Sequence, residues 1–251
     1  MIDYFESLKL IAQSPEVLLI IEWLVCGLFI LGADRFFRLP GLYVYTAVGV
    51  IVANVTVLKV VQFSFYPNPM ALGTMVFSSL FLASDIMNER YGKKAALKSV
   101  GLGFFAYFVT MVLMGLSLLY GSSSSLTFDS AVSFLIMPAP SLFLASLVSY
   151  FCSQYMDVFL YDLIHSKTGQ KLLWLRSFIS TLVAVFIDNT IFSLLAWSLL
   201  TLSPLPLSDI FWTYILGATV LRVVVSLGNV AFMYASAFLN RNNNPHVVSL
   251  S

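Results

Sequence analysis

Apolar runs of nearly twenty residues recur along this chain, and they leave it few ways to fold. A helix needs about 20 residues to cross about 30 Å of hydrocarbon. The runs at 17–33, 42–63, 70–87, 99–120, 138–162, 177–201 and 210–239 approach or exceed that length. Breakers mark the links between them: Pro40-Gly41, Pro67-Asn68-Pro69, Gly121 followed by four serines, Pro138 with Pro140, and Pro204 with Pro206. The links leave no room for a soluble domain, so the pattern predicts one polytopic unit, an all-α integral membrane protein with seven spans. Composition agrees. Only 10% of the 251 residues are charged and the mean hydropathy is +0.92, against about 25% charged residues in soluble domains.

Basic residues set the expected orientation. Arg35 and Arg38 lie in the first link, Arg90, Lys93, Lys94 and Lys98 in the third, Lys167, Lys171 and Arg176 in the fifth, and Arg241 in the tail. The links around Pro67, Asp129 and Pro204 carry none, and the N-terminus has Lys9 alone. This alternation places the N-terminus outside and the C-terminus in the cytoplasm. Asp3, Glu6 and Glu16 deprive the N-terminus of the basic region of a secretory signal, so Val17 onward is read as a retained span. The net charge of +1 argues against a nucleic-acid partner. Cys26 and Cys152 lie in apolar segments without metal-ligand spacing and read as packing thiols.

Four charges interrupt the apolar runs: Asp85, Asp157, Asp188 and Arg222. A charge at bilayer depth is costly unless it is paired or faces a wet cavity, which makes each a functional candidate. On the third span Thr74, Ser78, Phe81, Asp85 and Glu89 recur every three or four residues and share a face. On the fifth, Ser146, Ser149, Ser153 and Asp157 do the same, with Tyr150 and Gln154 partly on that face. The serines alone read as close-packing residues, but Gln154 with Asp157 needs a common partner or water. On the sixth span Ser180, Thr181 and Asp188 form a stripe beside Asn189. Asp188 lies about twelve residues from the inner end, or about 18 Å at 1.5 Å per residue. Arg222 is at similar depth on the seventh span. The two could form an ion pair, contact substrate directly, or do both in an occluding gate.

Buried carboxylates with an amide and nearby aromatics suit a planar solute rich in N–H donors. A guanine-like edge offers two adjacent donors to one carboxylate, an aliphatic ammonium would engage a second, and Phe77, Phe81 and Tyr150 are available to stack. The residues alone lead to a small, donor-rich solute that is bound or transported.

The stretch Gly73-Thr74-x-x-Phe77 … Asp85-Ile86-x-x-Glu89-x-Tyr91-Gly92-Lys93-Lys94-Ala95 resembles the signature of the queuosine precursor transporter family, also called vitamin uptake transporters. Asn54 with Lys59, Ser153-Gln154-x-x-Asp157, Trp174-Leu175-Arg176, Ser180-Thr181, Asp188 and Arg222 before Met233-Tyr234 extend it over roughly 42–240. Ser78, Ala184-Val185, Arg222 and Phe232 depart from the family pattern, which has Pro, Ser-Gln, Lys and Pro there. The resemblance implies a six-helix transporter core over 42–240, an extra N-terminal transmembrane helix within 1–41, and a cytoplasmic tail at 241–251. It also implies an importer, in the bacterial inner membrane, of a 7-deazaguanine (queuine, preQ1 or preQ0) used in tRNA modification. The expected substrate-binding set is Asn54, Phe77, Asp85, Glu89, Gln154, Asp157, Ser180, Asp188 and Arg222.

The expected partners are a purine-like base and the lipid bilayer, with a homodimer as a candidate assembly and no cofactor. The alternative is the substrate-binding membrane subunit of an ATP-driven vitamin importer. The chain lacks a Gly-x-x-x-x-Gly-Lys-[Ser/Thr] loop, so ATP coupling would have to come from another chain. An intramembrane enzyme is a third class, poorly served because both histidines, His165 and His246, fall in predicted cytoplasmic segments.

Overall fold

The structure is a computed structural model that describes residues 14–57, 59–65, 70–120, 140–169, 171–201 and 203–239. The N-terminus before Ser14, the Pro67 and Asp129 links and the tail at 241–251 lie outside the described residues. Helix α1 (Pro15–Gly32) passes through a π-helical segment (Ala33–Phe37) into α2 (Arg38–Thr56). A two-residue antiparallel ladder follows, β1 (Val60–Val61) with β2 (Met70–Ala71), paired Val60↔Ala71 and Val61↔Met70. Then come α3 (Gly73–Tyr91), α4 (Lys93–Ser117), α5 (Pro140–Thr168), α6 (Leu173–Leu194) and α7 (Ala218–Leu239). A π-helical turn (Leu195–Leu199) extends α6, and a single turn (Leu207–Asp209) with a π-helical segment (Ile210–Gly217) leads into α7.

Local chemistry explains several boundaries. Ser14 caps α1 by accepting the Val17 N–H at 3.3 Å, and Pro15 occupies the first turn, where its missing N–H costs nothing. The second span, expected to reach residue 63, stops at Thr56. The β-branched residues that follow favour extended backbone, and Val60 and Val61 pair with β2 instead. Gly92, at φ 82°, adopts the left-handed conformation that lets α3 end and α4 begin without a linker.

Five described stretches are long and apolar enough to cross a membrane, rather than the seven expected: Pro15–Thr56, Lys93–Ser117, Leu142–Thr168, Leu173–Leu199 and Leu207–Leu239. The first of these runs for 42 residues and contains a reversal. Arg38 adopts φ 55° and ψ −142° at its tip, where the chain turns back. At one end of this hairpin the Glu16 carboxylate accepts the backbone N–H of Ser64 at 2.7 Å and its hydroxyl at 2.8 Å, just beyond α2. The tip lies beside the end of α3, where Asp34 meets Arg90 and Tyr91.

Helix α3 is too polar to qualify as a span by apolarity, and its position explains why. It touches each of the other six helices, and every residue from Ser78 to Asn88 is buried. A helix shielded by protein on all sides does not have to be apolar toward lipid. The outward faces of the other helices carry large exposed apolar side chains, among them Phe29, Val44, Phe105, Leu113, Phe186 and Val224. Buried polar residues gather inside. This inside-out distribution belongs to an integral membrane protein.

The hairpin is built into the bundle. Trp23 of α1 donates its indole N–H to Asn229 of α7 at 2.9 Å, and Asn229 donates in turn to the Ser78 carbonyl of α3 at 3.3 Å. Trp23 and Phe232 meet edge to face with centroids 5.1 Å apart. Gly27 lies directly against the Phe232 ring, and a β-carbon on Gly228 would sit 2.6 Å from the Trp23 indole, so small residues admit large ones across this contact.

Candidate functional site

Helices α3, α5, α6 and α7 enclose a column of polar side chains. Because α5 and α6 are antiparallel, their polar positions meet as rungs: Ser153 with Asp188, Asp157 with Ser180 and Thr181, and Tyr161 with Arg176. Arg176 and Asp188 are twelve residues apart in one helix, so the column rises about 18 Å.

The rung farthest from the α5–α6 turn is an ion pair. Arg222 donates from Nη1 to Asp188 Oδ2 at 2.5 Å and to Asn189 Oδ1 at 2.9 Å. Ser153 donates to the other Asp188 oxygen at 3.1 Å, and Asn189 donates onward to Thr219 at 2.8 Å. The guanidinium carbon lies 5.6 Å from the Phe77 ring centroid, within cation–π range. The ion pair allowed by the sequence is therefore present, and every partner in it is buried or partly buried.

The rung nearest the α5–α6 turn is another ion pair. Arg176 Nη2 donates to Glu89 Oε1 at 2.5 Å, and Tyr161 donates to Glu89 Oε2 at 2.7 Å while accepting from Arg176 Nε at 3.2 Å. Arg176 Nη1 also closes the α5–α6 turn through the carbonyls of Gly169 and Lys171, at 2.8 and 3.1 Å. Removing either partner of such a buried pair costs about 3–5 kcal/mol, because the other charge is left uncompensated.

Between the two ion pairs lie carboxylates without a cation of their own. Asp85, 1% exposed, accepts the Ser177 hydroxyl on Oδ2. Its Oδ1 has no hydrogen-bond partner, and neither has either oxygen of Asp157, which is fully buried. Asp157 adjoins Asp85, Ser180 and Thr181, but none reaches hydrogen-bonding geometry with it. Three buried carboxylate oxygens thus converge with unused acceptor capacity, the feature a donor-rich ligand would satisfy. Asn88 ties the helices together here by donating to the Val158 carbonyl at 3.0 Å.

Between this pair and the Asp188–Arg222 rung, α3 and α6 contribute an apolar patch. Phe81, one turn from both Phe77 and Asp85, packs with Ala184 and Val185 in a small buried cluster. These two α6 residues stand where the family resemblance implies Ser-Gln.

The structure thus brings together Phe77, Asp85, Glu89, Asp157, Ser180, Asp188 and Arg222 of the expected set. Gln154 is buried on α5, between the Ser153 and Asp157 rungs. Asn54 stands apart: its amide donates to the Val50 carbonyl of its own helix at 2.8 Å. The sequence reading missed the roles of Tyr161 and Ser177. Both were legible, since Tyr161 follows Asp157 by four residues and Ser177 precedes Ser180 by three, continuing faces already recognised as polar. It also missed a buried charge outside the column. Asp34, read as part of a link, is fully buried and holds Arg90, the Tyr91 hydroxyl at 2.9 Å and the Ser236 hydroxyl at 2.9 Å.

No solved structure matches the chain. It is 30% identical over 219 residues to a protein of Bacillus subtilis (strain 168) named "Probable queuosine precursor transporter", an alignment covering 86% of this chain and 90% of that one. A family model described as "Putative vitamin uptake transporter" matches residues 71–236, which hold α3 and most of every helix after it. With that match across the column's four helices and likeness over most of its length to a relative, the chain belongs to the vitamin uptake transporter family.

Proposed function

We propose that this protein imports a queuosine precursor, a 7-deazaguanine base for tRNA modification, across the bacterial inner membrane. It crosses seven times, with α1 and α2 counted separately and α3 as the central span, its N-terminus outside and its tail in the cytoplasm. The observation that carries the reading is the three convergent, unpartnered oxygens of Asp85 and Asp157 in the column of a chain that belongs to a transporter family. A deazaguanine edge presents adjacent N–H donors, which one carboxylate accepts together. Gln154 and Ser180 add neutral hydrogen-bonding groups beside that edge. Asp188 is the second anionic position, for a ligand amine, and Arg222 balances it while no ligand is bound. Phe77 offers a ring face at the outer rung. Glu89, hydrogen-bonded within the protein, shapes the site from its margin, and Asn54 would reach a ligand only by leaving the Val50 carbonyl of its own helix.

Uptake in a strain unable to make the precursor tests this, scored by queuosine in tRNA. The wild-type chain should restore queuosine, while Asp157→Ala and Asp188→Ala should not. Normally expressed variants that still restore it would remove these residues from the site. Purified protein in vesicles should take up the base without ATP or a second chain, and a strict need for an ATPase partner would overturn autonomous import.

A further inference from the structure

The Asp85–Asp157 pair raises a question of charge that base recognition does not answer. If both carboxylates were ionised with the site empty, two like charges would face each other in a fully buried place. The surroundings offer little compensation. From α3 the nearest charge is Glu89, itself negative. From α6 it is Arg176, whose guanidinium is committed to Glu89, Tyr161 and two backbone carbonyls. From α5 the nearest other titratable group is Tyr161, a neutral hydroxyl that donates to Glu89. Arg222 of α7 is held by Asp188 and Asn189, beyond the Phe81 patch. The charges of α4 (Lys93, Lys94 and Lys98) stand at its first turns, α1 contributes only Glu16 and Glu22, and α2 only Arg38 at its start. Ser177, Ser180 and Thr181 supply hydroxyls and no charge.

We propose that Asp85 and Asp157 form a proton site that couples import to the proton gradient. One proton from outside water binds to the pair: an O–H bond forms on one carboxyl, and its hydrogen is shared with the facing carboxylate. The same O–H bond breaks when the site opens inward, and the proton passes to cytoplasmic water. The geometry fits this use because three buried oxygens of the pair lack hydrogen-bond partners, with only the hydroxyls of Ser180 and Thr181 beside Asp157, and because the nearest guanidinium among the described residues, Arg176, is already committed to Glu89, Tyr161 and two carbonyls. Two facing carboxylates can share one proton, which then belongs to the pair rather than to either residue. A singly protonated pair still presents one negative charge to the two N–H donors of the base, so proton and base bind together and travel in the same direction. This inference rests on the importer reading and adds its energy source.

Two measurements separate the inference from that reading. Infrared difference spectra of the purified protein report the proton without transport. At neutral pH the wild type should show the C=O stretch of a buried protonated carboxyl. Asp85→Asn and Asp157→Asn each leave one carboxyl without a facing carboxylate and should shift that band, and the double variant should lose it. Absence of the band in wild type, an unshifted band in both single variants, or a band that persists in the double variant overturns the proton site. In vesicles of wild-type protein with the membrane potential clamped, adding preQ0, which carries no amine, should acidify the lumen as read by a trapped pH dye. An acid-outside gradient should raise its accumulation at least several-fold. Base entry without proton movement overturns the coupling. Entry of no base at all overturns the importer reading and coupling with it, while the infrared band still decides the shared proton.

Discussion

Replacing Asp34 with Asn tests how firmly the α1–α2 hairpin is tied to the transport core. Asp34 is fully buried and binds groups from two other helices: Arg90 and Tyr91 at the end of α3, and Ser236 of α7. Asparagine keeps the shape and one acceptor, and the two hydroxyls can rotate to new partners. Arg90 cannot adapt in that way. Its side chain is only 5% exposed and would be left as an uncompensated cation. The expected loss is about 3–5 kcal/mol, which at about 2–4 °C per kcal/mol for a chain of this size lowers the melting temperature by about 6–20 °C. Thermal unfolding in detergent, followed by tryptophan fluorescence, is a suitable assay. Adding Arg90→Met removes the orphaned cation, so the double variant should recover more than half of the loss. Lys93→Met gives the contrast: its ion pair with Asp162 is 34% and 42% exposed, and its loss should cost only about 0–1 kcal/mol. An Asp34→Asn protein that melts within 1 °C of wild type, or one that Arg90→Met does not rescue, would refute the buried-pair reasoning.

Further outcomes follow from the column. Both polar contacts of Arg222 come from one nitrogen, Nη1, so an ammonium can replace it. Arg222→Lys should stay within about 1 kcal/mol of wild type and keep uptake, whereas Arg222→Met should cost about 3–5 kcal/mol by stranding Asp188. Uptake and melting curves of the two variants decide. The Tyr150 hydroxyl is buried without a partner against Gly103, so Tyr150→Phe should be neutral or stabilise the fold by about 1–3 kcal/mol. A β-carbon at Gly103 would overlap that same hydroxyl; Gly103→Ala should destabilise by about 1–3 kcal/mol and be largely rescued by Tyr150→Phe, as a double-mutant cycle of melting temperatures would show.

The polar column was legible because helical spacing alone puts Asp85 with Glu89, Gln154 with Asp157, and Thr181 with Asp188 on shared faces, and midspan charges have few reasons to exist. Pairing Asp188 with Arg222 needed only their common depth. Other features were hidden for physical reasons. Asp34 sits between apolar residues and Arg35, where a solvated link charge and a buried anchor have the same local sequence. Only the packing of α3 and α7 over it makes it an anchor. Arg176 counted as one more basic residue of an inner link, although it is 1% exposed and holds Glu89. Helix α3 passed as an ordinary span because its length and breakers suited one. That its polarity is tolerated through central burial is a fact of topology, which periodicity does not encode. Apolarity carries the expected end of α2 on to residue 63, because Val60 and Val61 are as apolar as the helix before them and apolarity does not separate strand from helix in so short a run.

The Phe81–Ala184–Val185 patch has an electrical consequence. Voltage across a membrane falls more steeply where matter polarises less, and along this column the apolar patch of α3 and α6 polarises less than the hydrogen-bonded rungs on either side of it. A full crossing is worth about 2.3 kcal/mol per elementary charge per 100 mV. The patch near Phe81 takes a larger share of that work per ångström than the rungs do, moderated by Gln154 of α5 between them, and a polar side chain at position 184 or 185 would reduce that share.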